Sequence, residues 1–296
     1  MSSKPAPPTG AGSARPVVSI PHLLSLKHSR TPIVMVTAYD YPSARAAEAA
    51  AVDIVLVGDS GAMTVLGYPS TVPVGIEEML MLTAATRRGT TSALLVADLP
   101  FGSYEVSDQQ AVATAVRFVK EAGADAVKLE GGGSMSVQRA AAVVTAGVPV
   151  MGHVGLTPQT ATALGGYKAQ GRSADSAISI ARGAFALQEA GCFSLVFEAV
   201  PNAVTAALMP RISIPVIGIG AGPDADGQVL VFHDLLGIRV GKGGRFVKRY
   251  ADLQDAMDAG VAAYAADVRD GTYPAAEHGY SIDPMELARF TETLAE

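Results

Sequence analysis

The sequence predicts a single (β/α)8 barrel, and three observations lead there. From Ile33 onward, eight apolar runs of strand length alternate with longer segments of helical pattern. Most of these runs are almost continuously apolar, the pattern of parallel strands covered on both faces. No low-complexity linker divides the 296 residues, a length at which large barrels run as one unit. Composition agrees: 17% of the residues are charged and 49% hydrophobic, against about 25% charged in an average soluble chain, so many positions must face protein on both sides.

The elements follow in order. Residues 1–16 are rich in Pro, Ser, Gly and Ala and are expected to be a disordered leader. Ser19 to Lys27 reads as a short helix before the first strand, closing the barrel's bottom. The strands are expected at 33–40, 53–60, 92–100, 126–132, 149–155, 194–200, 215–222 and, more weakly, 228–234. Helical segments lie between them at 42–51, 76–88, 108–122, 134–146, 174–190 and 202–211. Gly123 and Gly147 follow their helices as C-caps, and Ser107 or Asp108 caps the start of the third. Residues 17–278 make the barrel with its flanking helices, including an Ala-rich one over 250–269. The tail 279–296 holds a short helix begun by Asp283 and Pro284. An open doubly wound sheet is the alternative; the count of eight and right-handed crossovers favour closure.

Several function classes are disfavoured by the same composition. Lys plus Arg at 22 against Asp plus Glu at 28 leaves a net charge of −6 with no long basic run, which argues against nucleic acid or an anionic membrane as partner. The uncharged stretch 140–167 is broken by Gly147, Pro149, Gly152, Gly155 and Pro158, so it reads as soluble interior. The single cysteine, Cys192, excludes an intramolecular disulfide framework and fits a reducing, cytoplasmic setting. At the entry to the sixth strand it reads as a small buried hydrophobe.

In a parallel barrel the carboxyl ends of all strands open on one face. Six of the eight runs end there in titratable groups: Asp40, Asp59, Asp98, Lys128 with Glu130, His153 and Glu198. Asp40, two residues before Pro42, serves equally well as a helix N-cap. Asp59 precedes a long loop and Asp98 precedes Pro100, so neither has a strong capping reading. Lys128 and Glu130 lie two apart in an apolar strand, which points both to one side; such a pair is either a barrel-interior salt bridge or part of a site. Three carboxylates within about 4 Å of one another would repel by roughly 4 kcal/mol per pair. Asp59, Asp98 and Glu130 offer only oxygen ligands, which suits a hard divalent cation such as magnesium. Glu198, alone in an apolar setting, is expected to have a raised pKa and to suit a general base; a buried structural acid is the other reading. His153 is either a satisfied core histidine or a site residue. The segment GIGAGPDADG (218–227) is a weak phosphate-cradle candidate that does not match the dinucleotide fingerprint.

These motifs resemble ketopantoate hydroxymethyltransferases, the family also called 3-methyl-2-oxobutanoate hydroxymethyltransferases. The resemblance runs from Thr37 to His278 and rests on TAYDYPSA, LVGDS, TVPV, VADLPFGSYE, AVKLEGG, GHVGLTPQ, GGYKAQGR, EAVP, GIGAGPDADGQVLV and RFVKRYAD. It implies a barrel of the phosphoenolpyruvate/pyruvate type, assembled into homo-oligomers, commonly decamers. It implies transfer of a hydroxymethyl group from 5,10-methylenetetrahydrofolate to 3-methyl-2-oxobutanoate, giving 2-dehydropantoate, with one Mg2+ per subunit. Carried over residue by residue, Asp59 and Asp98 bind magnesium and Glu130 completes or supports that site. Ser60 with Asp59 holds the oxo acid, Lys128 contacts its oxygens, Glu198 is the proton acceptor and His153 lies on the substrate side. Two departures stand out: Gly61 and Ala62 replace the family's Leu-Gly, which is expected to widen the pocket wall, and the segment after His278 is longer.

Both lines of reasoning lead to enolate chemistry, with Glu198 removing the C3 proton of the oxo acid. A magnesium-dependent aldolase or lyase acting on a related 2-oxo acid is the alternative enzyme, separated by its independence of methylenetetrahydrofolate. A non-catalytic barrel that binds a small acid is the alternative outside catalysis, separated by an absence of C3 proton exchange.

Overall fold

The computed structural model describes residues 15–239 and 243–295. Eight parallel strands close a barrel in sequence order: β1 (Ile33–Thr37), β2 (Ile54–Val57), β3 (Leu94–Asp98), β4 (Ala126–Lys128), β5 (Val150–Gly155), β6 (Ser194–Glu198), β7 (Val216–Ile219) and β8 (Gly227–Leu230). β8 returns onto β1, with Val34 opposite Gln228. Closure is what the near-continuous apolar runs require. Alternate residues such as Ile33, Met35, Ile54, Leu56, Leu94, Val96, Met151, Val196 and Ile217 fill the interior. Their neighbours Val36, Val55, Val57, Leu95, Val127, Val150, Leu195 and Phe197 pack beneath the helices.

The helical layer comprises α2 (Tyr41–Ala49), α4 (Ile76–Gly89), α5 (Asp108–Ala122), α6 (Ser134–Thr145), α7 (Ala174–Glu189) and α8 (Asn202–Leu208). α1 (Ile20–Ser29) closes the bottom, where Leu23 joins the interior cluster. Ser107 caps α5 by accepting from the Gln110 amide, and Gly123 ends that helix in the left-handed region. Of the expected leader, residues 1–14 lie outside the described residues. Arg15 is tied to the barrel floor, pairing with Asp53 at 2.7 Å.

Two expectations need correction. The loop after β2 holds a one-turn helix, α3 (Gly61–Thr64), where no helix was expected before Ile76. The eighth strand ends at Leu230; Phe232 opens a short helix, α9 (Phe232–Leu236), because its amide is taken by Thr37 Oγ1 at 2.8 Å and turns the chain off the sheet. As the short gap between the seventh and eighth expected strands implies, no helix separates β7 from β8. Segment 220–226 returns down the outside of β7, held by Gln228 Nε2 donating to the Gly222 carbonyl at 2.9 Å.

Among the described residues that economy leaves the wall at β8 and β1 bare, with the outward-facing Val34 50% exposed. The two C-terminal helices, α10 (Leu253–Asp270) and α11 (Pro284–Leu294), contain no buried residue. Met257, Val261, Tyr264 and Val268 form an exposed apolar stripe along α10 at the spacing of one helix face.

Candidate active site

The polar cluster at the carboxyl ends of the strands follows from the two-residue period of a strand. Interior residues Val96, Ala126, Met151 and Val196 are followed two positions on by Asp98, Lys128, His153 and Glu198. Each therefore continues the inward row of its own strand, and Glu130 continues that of β4. Asp59 stands just past β2, where Gly58 takes the inward position and the turn into α3 swings the carboxylate back over the barrel mouth.

Neighbouring strands then decide who pairs with whom. Asp98 and Lys128 are direct partners across β3 and β4, so Lys128 Nζ lies 2.9 Å from Asp98 Oδ1. The barrel-interior salt bridge expected of Lys128 is thus made with Asp98, not with Glu130. The other Asp98 oxygen accepts from the Asp59 amide at 3.0 Å. His153 sits between two carboxylates, with Nδ1 3.5 Å from Glu130 Oε1 and Nε2 3.3 Å from Glu198 Oε2. The expectation that Glu198 stands alone in an apolar setting is therefore wrong. It faces His153, and its side chain keeps 16% exposure where those of the other five are at most 5% exposed.

Burial and mutual repulsion set the charge states. Burial, then the Glu130 and Asp98 carboxylates, push Asp59 well above the usual carboxylate range. Burial also raises Asp98, although Lys128 pulls it down. In Glu130 burial is outweighed by His153, Lys128 and the Gln159 amide, which hold it low. Burial and Lys128 oppose protonation of His153, but Glu130 and Glu198 prevail and raise it to about 9, so at neutral pH it is an imidazolium. Among the described residues, no three carboxylate, imidazole or thiol groups form a ready-made metal cage.

Ser60 begins α3, its hydroxyl 2.8 Å from the phenol of the buried Tyr39. Gly61 does not widen the wall as expected. A side chain there would meet the Tyr39 ring at 2.7 Å, so the space is already filled. Asp40 caps α2, accepting from the Ser43 amide at 2.8 Å, and Cys192 is buried. A cavity of about 1290 Å³ opens beside Glu198, lined there by Leu156, Tyr167, Lys168 and Phe246, and continues along the bare wall to Val34.

Sequence reasoning missed two residues of the cluster, Tyr104 and Gln159. Both are buried polar side chains on loops after strands, within the motifs VADLPFGSYE and GHVGLTPQ. Their signal was a polar group in a motif that also supplies a charged strand end.

A closed parallel barrel with a buried charged cluster at its carboxyl face has the architecture of a barrel enzyme. Solved structures share that fold. A phosphonopyruvate hydrolase complexed with oxalate and Mg2+ matches with a TM-score of 0.58 at 14% identity, covering 93% of this chain and 96% of that one. The 2,3-dimethylmalate lyase of the PEP mutase/isocitrate lyase superfamily matches at 0.57 and 17%, covering 94% and 98%.

The family model described as ketopantoate hydroxymethyltransferase matches residues 17–276, and the chain belongs to that family. Relatives named 3-methyl-2-oxobutanoate hydroxymethyltransferase include one from Moorella thermoacetica, 52% identical over 89% of this chain and 97% of the relative. Another, from Thermus thermophilus, is 53% identical over 84% and 94%, and one from Nitratidesulfovibrio vulgaris is 47% identical over 98% and 93%. The chain is thus an enzyme, a transferase of pantothenate synthesis. No helix among the described residues is long and apolar enough to cross a membrane.

Proposed function

We propose that the protein transfers a hydroxymethyl group from 5,10-methylenetetrahydrofolate to 3-methyl-2-oxobutanoate, giving 2-dehydropantoate, with Glu198 as general base. The observation that carries this reading is the division of labour in the cluster. Glu198 is the carboxylate that reaches the cavity, while Asp59, Asp98 and Glu130 are buried behind it.

The donor set fits a divalent cation. Burial and the neighbouring carboxylates push Asp59 up, and a divalent cation between these acids would relieve that repulsion. Asp98 Oδ1 is a buried acceptor with no aligned hydrogen bond, facing Lys128 as an ion pair only. Asp59 and Asp98 would hold Mg2+, one per subunit, with Glu130 in support; the remaining positions belong to substrate oxygens and water, as is usual for this ion. When bound, magnesium supplies Lewis-acid stabilisation of negative charge on the oxo acid.

The chain's own groups do the rest. Ser60 and the Asp59 segment orient the oxo acid, and Lys128 offsets charge on its oxygens. Glu198 takes the C3 proton. Water opens the methylene bridge, both C–N bonds breaking to leave tetrahydrofolate and a formaldehyde-level carbon. The enolate attacks that carbon, and the oxygen on it takes the proton back from Glu198 to become the hydroxymethyl group. His153, 3.3 Å from Glu198 Oε2, holds that carboxylate in place beside the cavity.

Association into a homo-oligomer, a decamer by resemblance, is supported by the uncovered stripe on α10 and by Val34 on the bare wall. A cytoplasmic location agrees with the one free, buried cysteine.

The test is NMR of 3-methyl-2-oxobutanoate in deuterated water. The wild-type enzyme is expected to exchange the C3 proton only with magnesium present, and Glu198→Gln to bind the acid without exchanging it. Exchange by Glu198→Gln at the wild-type rate removes Glu198 from the base role. Product formation without methylenetetrahydrofolate would favour the aldolase reading.

A further inference from the structure

Gln159 sits on a 3-10 turn (Pro158–Thr160) just beyond β5, and its side-chain amide and backbone N–H are all engaged. Its side-chain nitrogen donates to Asp59 Oδ2 at 2.9 Å and to the Leu99 carbonyl at 3.0 Å. Its side-chain oxygen accepts from the Tyr104 hydroxyl at 2.6 Å, and its backbone amide donates to Glu130 Oε2 at 3.0 Å. The orientation of the amide is forced. The Leu99 carbonyl can only accept, so nitrogen must face Leu99 and Asp59 and oxygen must face Tyr104. The Tyr104 oxygen already accepts from the Glu130 amide at 3.3 Å, so its one proton is free to go to Gln159.

One buried residue, 5% exposed, therefore joins the ends of β2, β3, β4 and β5: its side chain occupies one oxygen of Asp59 and its backbone amide one oxygen of Glu130. Asp59 Oδ1 is left without a protein hydrogen bond among the described residues and is the oxygen presented to a ligand. A side chain used only for packing would not spend its amide on one oxygen of Asp59 and leave the other open.

We propose that Gln159 is a positioning residue, whose side chain, itself set by Tyr104, presents Asp59 to the divalent cation while its backbone amide steadies Glu130. This rests on the reading of Asp59, Asp98 and Glu130 as an ion site. Groups that orient ligands from behind commonly carry about 10- to 100-fold of metal affinity, and that is the effect expected here.

The experiment is titration of the full-length protein with Mn2+, followed by the EPR signal of the free ion, alongside thermal melting of the metal-free protein. Gln159→Met is expected to weaken Mn2+ binding by about 10- to 100-fold, and Tyr104→Phe to weaken it in the same direction by less. A purely structural role lowers the melting temperature and leaves the Mn2+ affinity of the folded variant unchanged, which overturns the proposal. Should Gln159→Met not fold, Tyr104→Phe decides by the same criterion, since it keeps the ring and loses only the hydroxyl. Failure of the wild-type protein to bind Mn2+ is a distinct outcome; it overturns the ion-site reading, and the proposal with it.

Discussion

Gly155 is where the smallest change should do the most damage. It ends β5 directly opposite Glu198 of β6, with φ of +100°. A Cβ built there would lie 2.2 Å from the Glu198 carbonyl oxygen, a backbone atom that no side-chain rotation can move. That same oxygen accepts from the Leu156 amide at 2.8 Å. Gly155→Ala must therefore hold alanine in a sparsely populated backbone region, at about 1–3 kcal/mol. It must also push β5 and β6 apart by about 1 Å and weaken a buried hydrogen bond worth about 1 kcal/mol, with a further desolvation cost if both groups stay buried. The sum is roughly 3–5 kcal/mol, a large part of a typical domain's stability. Urea unfolding followed by far-UV circular dichroism, at one fixed protein concentration, reads it as a fall in the midpoint. Because the displaced atom belongs to Glu198, C3 proton exchange is expected to drop more steeply than the folded fraction. A loss below about 1 kcal/mol with normal exchange would refute the steric argument.

Two further outcomes are expected. Lys128→Met leaves Asp98 buried without its cation; breaking such a pair costs about 3–5 kcal/mol, measured in chelator as a fall in the urea midpoint, and exchange should be lost even with magnesium restored. Glu48 accepts from Ser92 and Thr91 and from backbone amides, which outweigh burial and hold it down to about 2. Its folded pKa lies below its unfolded one, so its stabilisation is complete above about pH 5 and fades as pH falls toward 2. With allowance for screening at this partly exposed rim, Glu48→Gln should cost about 1 kcal/mol at pH 7 and nothing near pH 2; a difference that persists at pH 2 would sink the assignment.

Much of this architecture is legible in the sequence because two independent periodicities coincide. An apolar run that tolerates no polar residue on either face must be a buried parallel strand, and a charge at its end must then sit at the barrel mouth. That logic finds Asp98, Lys128, Glu130, His153 and Glu198. It fails where a contact depends on register between strands, which no single strand encodes. Asp98 opposite Lys128 and Gly155 opposite Glu198 are of that kind. It fails too where a loop folds back on the cluster: Gln159 and Tyr104 reach it from connections whose paths follow no period. The short return between β7 and β8 is legible, since the two strand-like runs leave too few residues for a helix; the bond from Gln228 to the Gly222 carbonyl that holds it is not.

The loop after β5 gives the site its unity. The carboxylates assigned to the ion lie on β2, β3 and β4, whereas the base lies on β6, and those halves share no direct hydrogen bond. The loop is pinned to both. Its first residue, Leu156, donates to the Glu198 carbonyl; Gln159 grips Asp59 and Glu130; and Gln170 donates to the carbonyl of Ala199 at 2.9 Å. Ala199 holds a left-handed backbone, φ of +50°, a conformation that costs a non-glycine residue about 1 kcal/mol and is retained because its amide and carbonyl are both taken, by Ile219 and Gln170. His153, on the strand that launches this loop, spans the same gap with its imidazole. A displacement of either half is therefore transmitted to the other through backbone bonds and one ring, so the position of the base and the position of the ion-binding carboxylates cannot drift independently.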